Sequence, residues 1–279
     1  MMKKTPLVLC ALLFVLIGSS SVFGDDGVRA SQREAMRIAK AHELFAKELR
    51  KTLGERADAI LTDPRLTLTD HLLTKKTPRD IKEIVAIYRN NVLRSESVED
   101  GIAIAAAFQK DLIRARKNYG VDPYTIVSIL RVETTFGTTL GAESIVNSLY
   151  TLYVMREDRR KFAFTELIHF IAIADREGRD PFEVKGSWAG AFGLPQFIPS
   201  SYRAYAVDGD GDGKVDLFGF PDAIASVANY LSRHGWKHDQ RRAILRYNNW
   251  GFYADLVTEY ALRVRSLYAQ TFQKDLPLT

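Results

Sequence analysis

The sequence predicts a mainly α-helical protein, and three observations support this fold class. Apolar residues recur with the 3.6-residue period of an α-helix through most of the chain. Strict alternation of polar and apolar residues, which is typical of strands, is scarce. The connections between the periodic stretches are short, and no internal repeat is present. The predicted helices cover approximately residues 30–53, 79–94, 98–118, 123–136, 161–178, 221–235 and 252–270.

The first 24 residues predict a secretory signal peptide. Lys3 and Lys4 precede an apolar run at 7–17, and small residues lead to a cleavage site that we place after Gly24. The apolar run is too short to remain as a transmembrane anchor. Cys10 lies inside the run and is therefore a poor site for lipid attachment. We expect an exported protein that is soluble after cleavage.

The composition of the remaining chain limits its partners. Cys10 is the single cysteine of the sequence, so a packed core must stabilise the exported protein without disulfides. Loss of Lys3 and Lys4 lowers the formal net charge from +5 to +3. No basic block with interleaved aromatic residues accompanies this weak charge, and we therefore expect no nucleic acid partner.

Two regions are predicted after the signal peptide. Residues 25–120 form an N-terminal helical lobe without a recognisable motif, and residues 121–279 form a core that contains the motifs. In the first helix of the core, Asp122 is suited to the N-cap and Pro123 to the first helical position. Gly137 is the predicted stop.

Glu133 is the first candidate functional residue. It falls on a broad apolar arc of the helix predicted at 123–136, and Arg131, the nearest basic residue in sequence, points to the other side. Burial there would raise the pKa of Glu133, which suits a general acid near neutral pH. The alternative is a helix-end carboxylate that reaches water or pairs with a distant arginine.

The segment GSWAGAFGLPQFIPSSY, residues 186–202, interrupts the helical pattern with glycines and prolines. Ser187 and Gln196 offer a hydroxyl and an amide beside four aromatic side chains, a mixture that suits the apolar faces and hydroxyl rim of a sugar. The alternative is an ordinary connection with aromatic residues in the core. The four aromatic residues are Trp188, Phe192, Phe197 and Tyr202.

The segment DGDGDGKVDLFGFPD, residues 208–222, predicts a structural calcium site. Its alternate acidic residues, glycine turn and backbone carbonyl reproduce the first eight positions of an EF-hand loop. Position twelve holds Gly219 where the bidentate glutamate is usual, and a later aspartate is the best substitute. The alternative is a surface turn without a metal. The predicted ligands are Asp208, Asp210, Asp212, the carbonyl of Lys214 and Asp222.

The segment RYNNWGFY, residues 246–253, separates two predicted helical segments. Tyr247 and Asn248 are therefore candidates to point into a groove. The alternative for Asn248 is a helix cap.

Taken together and in this order, the motifs resemble those of the B-type membrane-bound lytic murein transglycosylases, a lysozyme-like family that cleaves bacterial peptidoglycan. The resemblance covers roughly residues 121–265. VETTFG resembles the motif of the catalytic glutamate, and the segment 186–202 resembles the groove motif. DGDGDGKVDLF resembles the calcium loop, and RYNN resembles the Tyr-Asn motif. The resemblance implies a lysozyme-like helical catalytic core with an EF-hand-like calcium loop and an N-terminal helical lobe.

The resemblance also implies roles for individual residues. Glu133 would be the catalytic acid and then the base. Ser187 and Gln196 would position the saccharide, and Tyr247 with Asn248 would flank the glutamate.

Asp222 matches a late aspartate in the calcium loop of the family. Arg159 and Arg160 resemble an arginine pair that contacts peptidoglycan, and the alternative for them is a solvated basic helix start. Two departures from the family pattern are visible. Only ten residues separate Trp236 from Tyr247, where relatives carry a small β-rich segment, and the lipid-attachment cysteine is absent, so no stable membrane anchor is expected.

The implied activity is that of a periplasmic lytic transglycosylase. It would cleave the β-1,4 bond between N-acetylmuramic acid and N-acetylglucosamine in peptidoglycan glycan strands and form a 1,6-anhydro end. Cell-wall synthesis or remodelling proteins are the expected protein partners. Two alternatives are a muramidase that hydrolyses the same bond and a non-catalytic calcium-dependent wall-binding protein.

Overall fold

The structure is a computed structural model that describes residues 25–69, 81–273 and 275–276. The predicted signal peptide at residues 1–24 lies outside the described residues. The described chain is mainly α-helical, as predicted. Within these ranges, no helix combines the length and the apolar character needed to span a lipid bilayer.

Helices account for most of the described elements. A 3-10 helix at Glu157–Arg159 and two short strands, β1 (Glu143–Ser144) and β2 (Lys185–Gly186), complete them. The α-helices are α1 (Asp25–Leu53), α2 (Arg56–Leu61), α3 (Ile81–Leu93), α4 (Ser95–Ala107), α5 (Gln109–Tyr119), α6 (Pro123–Thr134), α7 (Ile145–Met155), α8 (Arg160–Glu177), α9 (Pro199–Tyr205), α10 (Phe220–Arg233), α11 (Gln240–Tyr247) and α12 (Gly251–Phe272).

The described residues form two compact units, each built from separate segments. The first unit contains the described residues up to 69 together with Glu143–Val184 and Trp188–Gly190. The second unit contains residues 81–142, Lys185–Ser187 and the described residues from Ala191 onward. The division at residue 120 into an N-terminal lobe and a core stays a prediction.

Aromatic residues of α1 and α7 form the core of the first unit. The ring centroid of the fully buried Phe45 lies 5.0 Å from that of Tyr150 and 5.2 Å from that of Tyr153. On the surface, the guanidinium of Arg56 in α2 pairs with the carboxylate of Asp175 in α8 at 2.7 Å. The helical pattern did not predict α7, because this helix is buried on almost all sides and has no charged residue to mark an exposed face.

Helix α6 lies at the centre of the apolar core of the second unit, where α4, α5, α10 and α12 pack around it. Its apolar side chains are buried as predicted, and its predicted polar side is buried as well. Ser128, for example, donates a hydrogen bond to the carbonyl of Val257 in α12 at 2.7 Å. Every side of α6 is therefore packed against neighbouring residues, and only Glu133 is half-buried.

Close packing between α4 and α12 depends on Gly101. A methyl group at that position would lie 2.7 Å from both the Tyr260 hydroxyl and a methyl group of Val264. Any larger residue would require the side chains of Tyr260 and Val264, or the helix that carries them, to shift.

Several predicted helix boundaries are wrong. The helix expected to run to residue 136 ends at Thr134, because Thr135 and Phe136 adopt left-handed backbone angles with φ of 50° and 55°. The helix predicted at 98–118 is divided into α4 and α5 at Phe108. Helices α2, α9 and α11 were not predicted, since each is too short to display a helical period.

Candidate active site

Glu133 is the penultimate residue of α6. The start of this helix is fixed as predicted, because the carboxylate of Asp122 accepts a hydrogen bond from the backbone N–H of Thr125 at 3.0 Å. Every other residue of α6 is buried, whereas Glu133 is half-buried. Its carboxyl group therefore lies among apolar neighbours and still reaches the surface of the second unit.

One hydroxyl group binds this carboxylate. The Tyr253 hydroxyl, near the start of α12, donates a hydrogen bond to Oε1 of Glu133 at 2.6 Å. Burial raises the pKa of Glu133 to about 7, and the hydrogen bond from Tyr253 partly opposes this rise. No carboxylate of the described residues contributes to this pKa. The group is therefore suited to hold a proton near neutral pH and to exchange it with a bound molecule.

Two further tyrosines lie near Glu133. The ring of Tyr247 stacks on that of Tyr253 with 6.5 Å between centroids, and its hydroxyl donates to the carbonyl of Pro195 at 2.6 Å. The Tyr88 hydroxyl, from α3, donates to the carbonyl of Val132 at 2.6 Å. Burial raises the pKa of Tyr88 and Tyr247, and the negative charge of Glu133 raises both further. These phenols therefore remain protonated and act as hydrogen-bond donors.

Gln196 lies in a tight loop that packs against the end of α6. Phe192 and Phe197 form an antiparallel bridge around this loop, and the side-chain amide of Gln196 donates to the carbonyl of Gly193 at 3.0 Å. Gln196 itself has a left-handed backbone with φ of 49°. The Thr134 hydroxyl donates to the carbonyl of Leu194 at 3.1 Å, which joins the loop to the residue after Glu133.

Ser187 lies at the beginning of the same segment. Its N–H donates to the carbonyl of Ala191 at 2.8 Å, and its hydroxyl accepts from the N–H of Ala191 at 3.0 Å. The preceding Gly186 packs on Gly141, where a methyl group would lie only 2.0 Å from the Gly186 carbonyl oxygen. The backbone on either side of Ser187 is therefore held firmly.

The aromatic side chains of this segment are mostly in the core. Phe192, Phe197 and Tyr202 are almost fully buried, so the prediction that they form a sugar-binding surface is wrong for these three. Their large apolar area is more stable inside the core than at the surface. Trp188, which belongs to the first unit, is 50% exposed and remains available for contact.

The remaining predicted substrate-binding residues lie on the surface. Asn248 is exposed and follows Tyr247, the last residue of α11; its N–H closes this helix on the carbonyl of Ile244. Arg159 and Arg160 belong to the first unit, where they approach the neighbouring acidic residues Asp158 and Glu157, respectively. Both arginines lie where α8 begins, which is the location that the alternative interpretation, a basic helix start, describes.

The segment 208–222 forms a compact loop that gathers carboxylates. One carboxylate oxygen from each of Asp208, Asp210 and Asp222 lies within 4.8 Å of the others, a spacing that could hold a metal ion. Asp212 is outside this group, and its carboxylate accepts the N–H of Lys214 at 2.8 Å. These oxygens are the ligands that a hard cation such as calcium prefers.

The ionised form of Asp222 is disfavoured by its surroundings in the loop. This side chain is 5% exposed, and burial, together with the charges of Asp210 and Asp208, raises its pKa. Backbone N–H groups of Gly213 and Gly211 lower the pKa of Asp208. A bound divalent cation would offset the repulsion between these carboxylates, so the donor set fits calcium.

Sequence reasoning did not assign a role to Tyr253 or Tyr88. Tyr253 stands 120 residues from Glu133 in the chain, and Tyr88 lies in a region without a motif. Tyr253 does lie in the segment 246–253, which also contains Tyr247 and Asn248. Its place in the first turn of a predicted helix, next to that motif, was the signal that the sequence offered.

Comparisons with known proteins identify the family of the chain. The family model described as "Transglycosylase SLT domain" matches residues 33–245. The "Membrane-bound lytic murein transglycosylase B" of Escherichia coli K12 is 40% identical over 158 residues, which are 57% of this chain and 44% of that relative. The chain therefore spans less than half the length of this curated relative.

Solved structures have a similar fold. The Escherichia coli lytic transglycosylase SLT35 in complex with bulgecin A aligns with a TM-score of 0.74 and 27% identity over 82% of this chain and 94% of that chain. A structure of SLT35 in complex with calcium aligns with a TM-score of 0.73, at the same identity and coverage. The soluble lytic transglycosylase SltB1 of Pseudomonas aeruginosa aligns with a TM-score of 0.72 and 28% identity, over 84% of this chain and 100% of that chain.

The fold is thus the mainly helical, lysozyme-like fold of lytic transglycosylases. Since the family match covers well over half of the sequence, the chain belongs to the transglycosylase SLT domain family.

Proposed function

We propose that the chain is a peptidoglycan lytic transglycosylase with Glu133 as its single catalytic carboxyl group. The observation that carries the proposal is the state of this group: it is half-buried, bonded to the Tyr253 hydroxyl, and has a pKa raised to about 7. Glycosidases that use two carboxylates hold them about 5–10 Å apart. Burial and the Tyr253 hydroxyl account for the raised pKa of Glu133 without a second carboxylate, and we favour a mechanism with one acid.

In the proposed reaction, protonated Glu133 donates its proton to the glycosidic oxygen between N-acetylmuramic acid and N-acetylglucosamine. The bond from this oxygen to C1 of the muramyl ring breaks, and the acetamido group of that ring stabilises the positive charge at C1. The Glu133 carboxylate then accepts the proton of the C6 hydroxyl, whose oxygen forms the new bond to C1. The product carries a 1,6-anhydro end, water is not consumed, and Glu133 is protonated again.

Polar residues of the second unit are proposed to hold the glycan strand. Gln196, Tyr247 and Asn248 lie on segments that meet the end of α6 or the α11–α12 connection, and Ser187 lies on a firmly held backbone. Orientation of the C6 hydroxyl by such groups can supply several kcal/mol of the rate enhancement, because attack within a bound molecule avoids the entropy of bringing in a second reactant. Arg159 and Arg160 are proposed to contact peptidoglycan from the first unit.

We further propose that Asp208, Asp210 and Asp222 hold a structural calcium ion, with Asp212 and the carbonyl of Lys214 as additional ligands. The cluster of three carboxylates supports the first part of this set. Export to the periplasm through the signal peptide at residues 1–24 belongs to the same proposal, as do glycan strands and wall-synthesis proteins as partners.

Mass spectrometry of digested sacculi tests the activity. The wild-type protein should release fragments with 1,6-anhydro ends, and Glu133→Gln should release none, because glutamine cannot donate or accept this proton. Glu99→Gln, which removes an exposed carboxylate from α4, is the matched control and should behave as wild type. Fragments heavier by one water would identify a muramidase, and unchanged digestion by Glu133→Gln would contradict the assigned catalytic residue.

A further inference from the structure

Arg131 is a buried cation to which no carboxylate of the described residues is bonded, although the charge of Asp100 acts on it from a distance. The residue is 3% exposed, and the structure records no ion pair for it in the described chain. Burial of an unpaired charge costs several kcal/mol, and an apolar residue at this position would pack into the core without that cost. The placement of Arg131 therefore requires a reason other than stability.

The guanidinium joins three parts of the second unit through neutral oxygens. It donates to the Ser97 hydroxyl in α4 at 2.6 Å and to the Thr135 hydroxyl at 3.0 Å. It also donates to both the carbonyl and the side-chain oxygen of Asn91 in α3, each at 3.1 Å. The planar, five-donor fork of arginine is suited to bridge several acceptors at fixed angles.

Two of these contacts bear directly on the surroundings of Glu133. Thr135 follows Glu133 by two residues and begins the left-handed turn that ends α6; such angles are costly for residues other than glycine. Asn91 lies one turn after Tyr88, whose hydroxyl binds the carbonyl of Val132 next to Glu133. Arg131 thus holds both the turn after the carboxyl group and the helix that brings a tyrosine beside it.

We propose that Arg131 is a positioning residue, which fixes α3 and the left-handed turn at Thr135 so that the carboxyl group of Glu133 keeps its orientation toward the glycan. The inference rests on the proposed function and adds a residue that does not touch the substrate. Removal of the guanidinium should loosen the turn and leave the core of the unit intact. A misplacement of about 1 Å can lower a catalytic rate about a hundredfold.

The test compares Arg131→Met with Arg233→Met, which removes an exposed arginine at the end of α10. Steady-state kinetics on soluble glycan strands should give a kcat lowered about ten- to a hundredfold by Arg131→Met with little change in KM. Hydrogen exchange should be faster in residues 132–139 and unchanged in the helices that pack on α6. Arg233→Met should match wild type in both measurements.

Equal kcat in the two variants, or exchange that is faster throughout the second unit, would overturn the positioning role. If Arg131→Met fails to fold, Thr135→Val decides the question, because it removes one bond of the guanidinium and keeps the shape of the side chain. The kcat of Thr135→Val should fall, and hydrogen exchange in residues 132–139 should be faster. Wild-type values for both measurements would contradict the proposal. An inactive wild-type protein would defeat the proposed function, while hydrogen exchange would still judge the role of Arg131.

Discussion

At the scale of single residues, the protonation of Glu133 depends on two opposing influences. Burial raises its pKa to about 7, and the hydrogen bond from the Tyr253 hydroxyl works in the opposite direction. The group therefore holds its proton up to neutral pH and still releases it readily. A catalyst that must donate and then recover a proton needs this balance, since a pKa far above the working pH would make the carboxylate scarce.

We expect Tyr253→Phe to move the pH profile of the reaction. In the proposed reaction, activity requires protonated Glu133 and should therefore fall as the pH rises past about 7. Loss of the hydrogen bond removes an influence that lowers this pKa, so the alkaline limb should move to higher pH, by up to about one unit. The measurement is kcat as a function of pH between 5 and 9.

Tyr247→Phe is the control for this shift. It also removes one hydroxyl from a buried ring, but that hydroxyl binds the carbonyl of Pro195 and not Glu133. Its alkaline limb should stay at the wild-type position even if its KM changes. A limb that stays in place for Tyr253→Phe, or that moves equally in both variants, would show that the Tyr253 hydroxyl does not tune Glu133.

Glu133 and Tyr253 also differ in whether the sequence alone identifies them as functional residues. Glu133 was identifiable because a carboxylate within an apolar arc contradicts the local pattern of its own helix. Tyr253 was not, because its importance arises from a contact with a residue 120 positions away. Its place beside the Tyr-Asn motif was the one local signal, and aromatic residues near the end of a motif are usually part of the core.

At the scale of elements, the loop 208–222 brings together carboxylates that repel one another. Asp222 is buried beside Asp208 and Asp210, and its raised pKa reflects both its burial and their charges. Without a cation, stability should therefore fall as the pH rises through the raised pKa of Asp222, because its ionised form is disfavoured in the folded state. A bound divalent ion would remove this penalty.

We expect calcium to raise the melting temperature and chelation to lower it. At a hundredfold excess over the dissociation constant, binding stabilises the folded state by about 2.7 kcal/mol. Asp208→Asn and Asp222→Asn should abolish most of the calcium-dependent shift, which is measured by calorimetry with and without the ion. The difference between the two conditions cancels any effect of the variants on the metal-free protein. Asp255→Asn, an exposed residue of α12, should retain the full shift; an identical melt of the wild type with and without chelator would remove the calcium proposal.

Elements differ in how well the sequence predicts them. Helices α8, α10 and α12 lie within a few residues of their predicted ranges, because each is at least 14 residues long and carries charged residues. Helix α7 has no charged residue, and α2, α9 and α11 are too short to display a helical period. The end of α6 was misplaced because two residues other than glycine adopt the left-handed turn, in which the Thr135 hydroxyl accepts a hydrogen bond from Arg131.

At the scale of the whole molecule, the site has a cost in stability. Ionised Glu133 is less favourable in the folded protein than in the unfolded chain, because its pKa rises from 4.5 to about 7 on folding. The sign follows from this direction: the folded state binds the proton more tightly, so stability declines as the pH rises from about 4.5 and the full loss is present above about 7. A shift of this size corresponds to at most about 3 kcal/mol.

Glu133→Gln should therefore stabilise the protein at alkaline pH while it abolishes activity. Glutamine has nearly the same shape and never ionises, so its melting temperature should exceed that of the wild type by several degrees at pH 8.5. The difference should shrink toward zero at pH 5, where Glu133 is protonated in the folded state. Glu99→Gln should show no such pH-dependent gain, since that carboxylate is exposed on α4. A gain for Glu133→Gln that is equal at both pH values would indicate improved packing and not the removal of a buried charge, and no gain at pH 8.5 would mean that the carboxylate is well solvated.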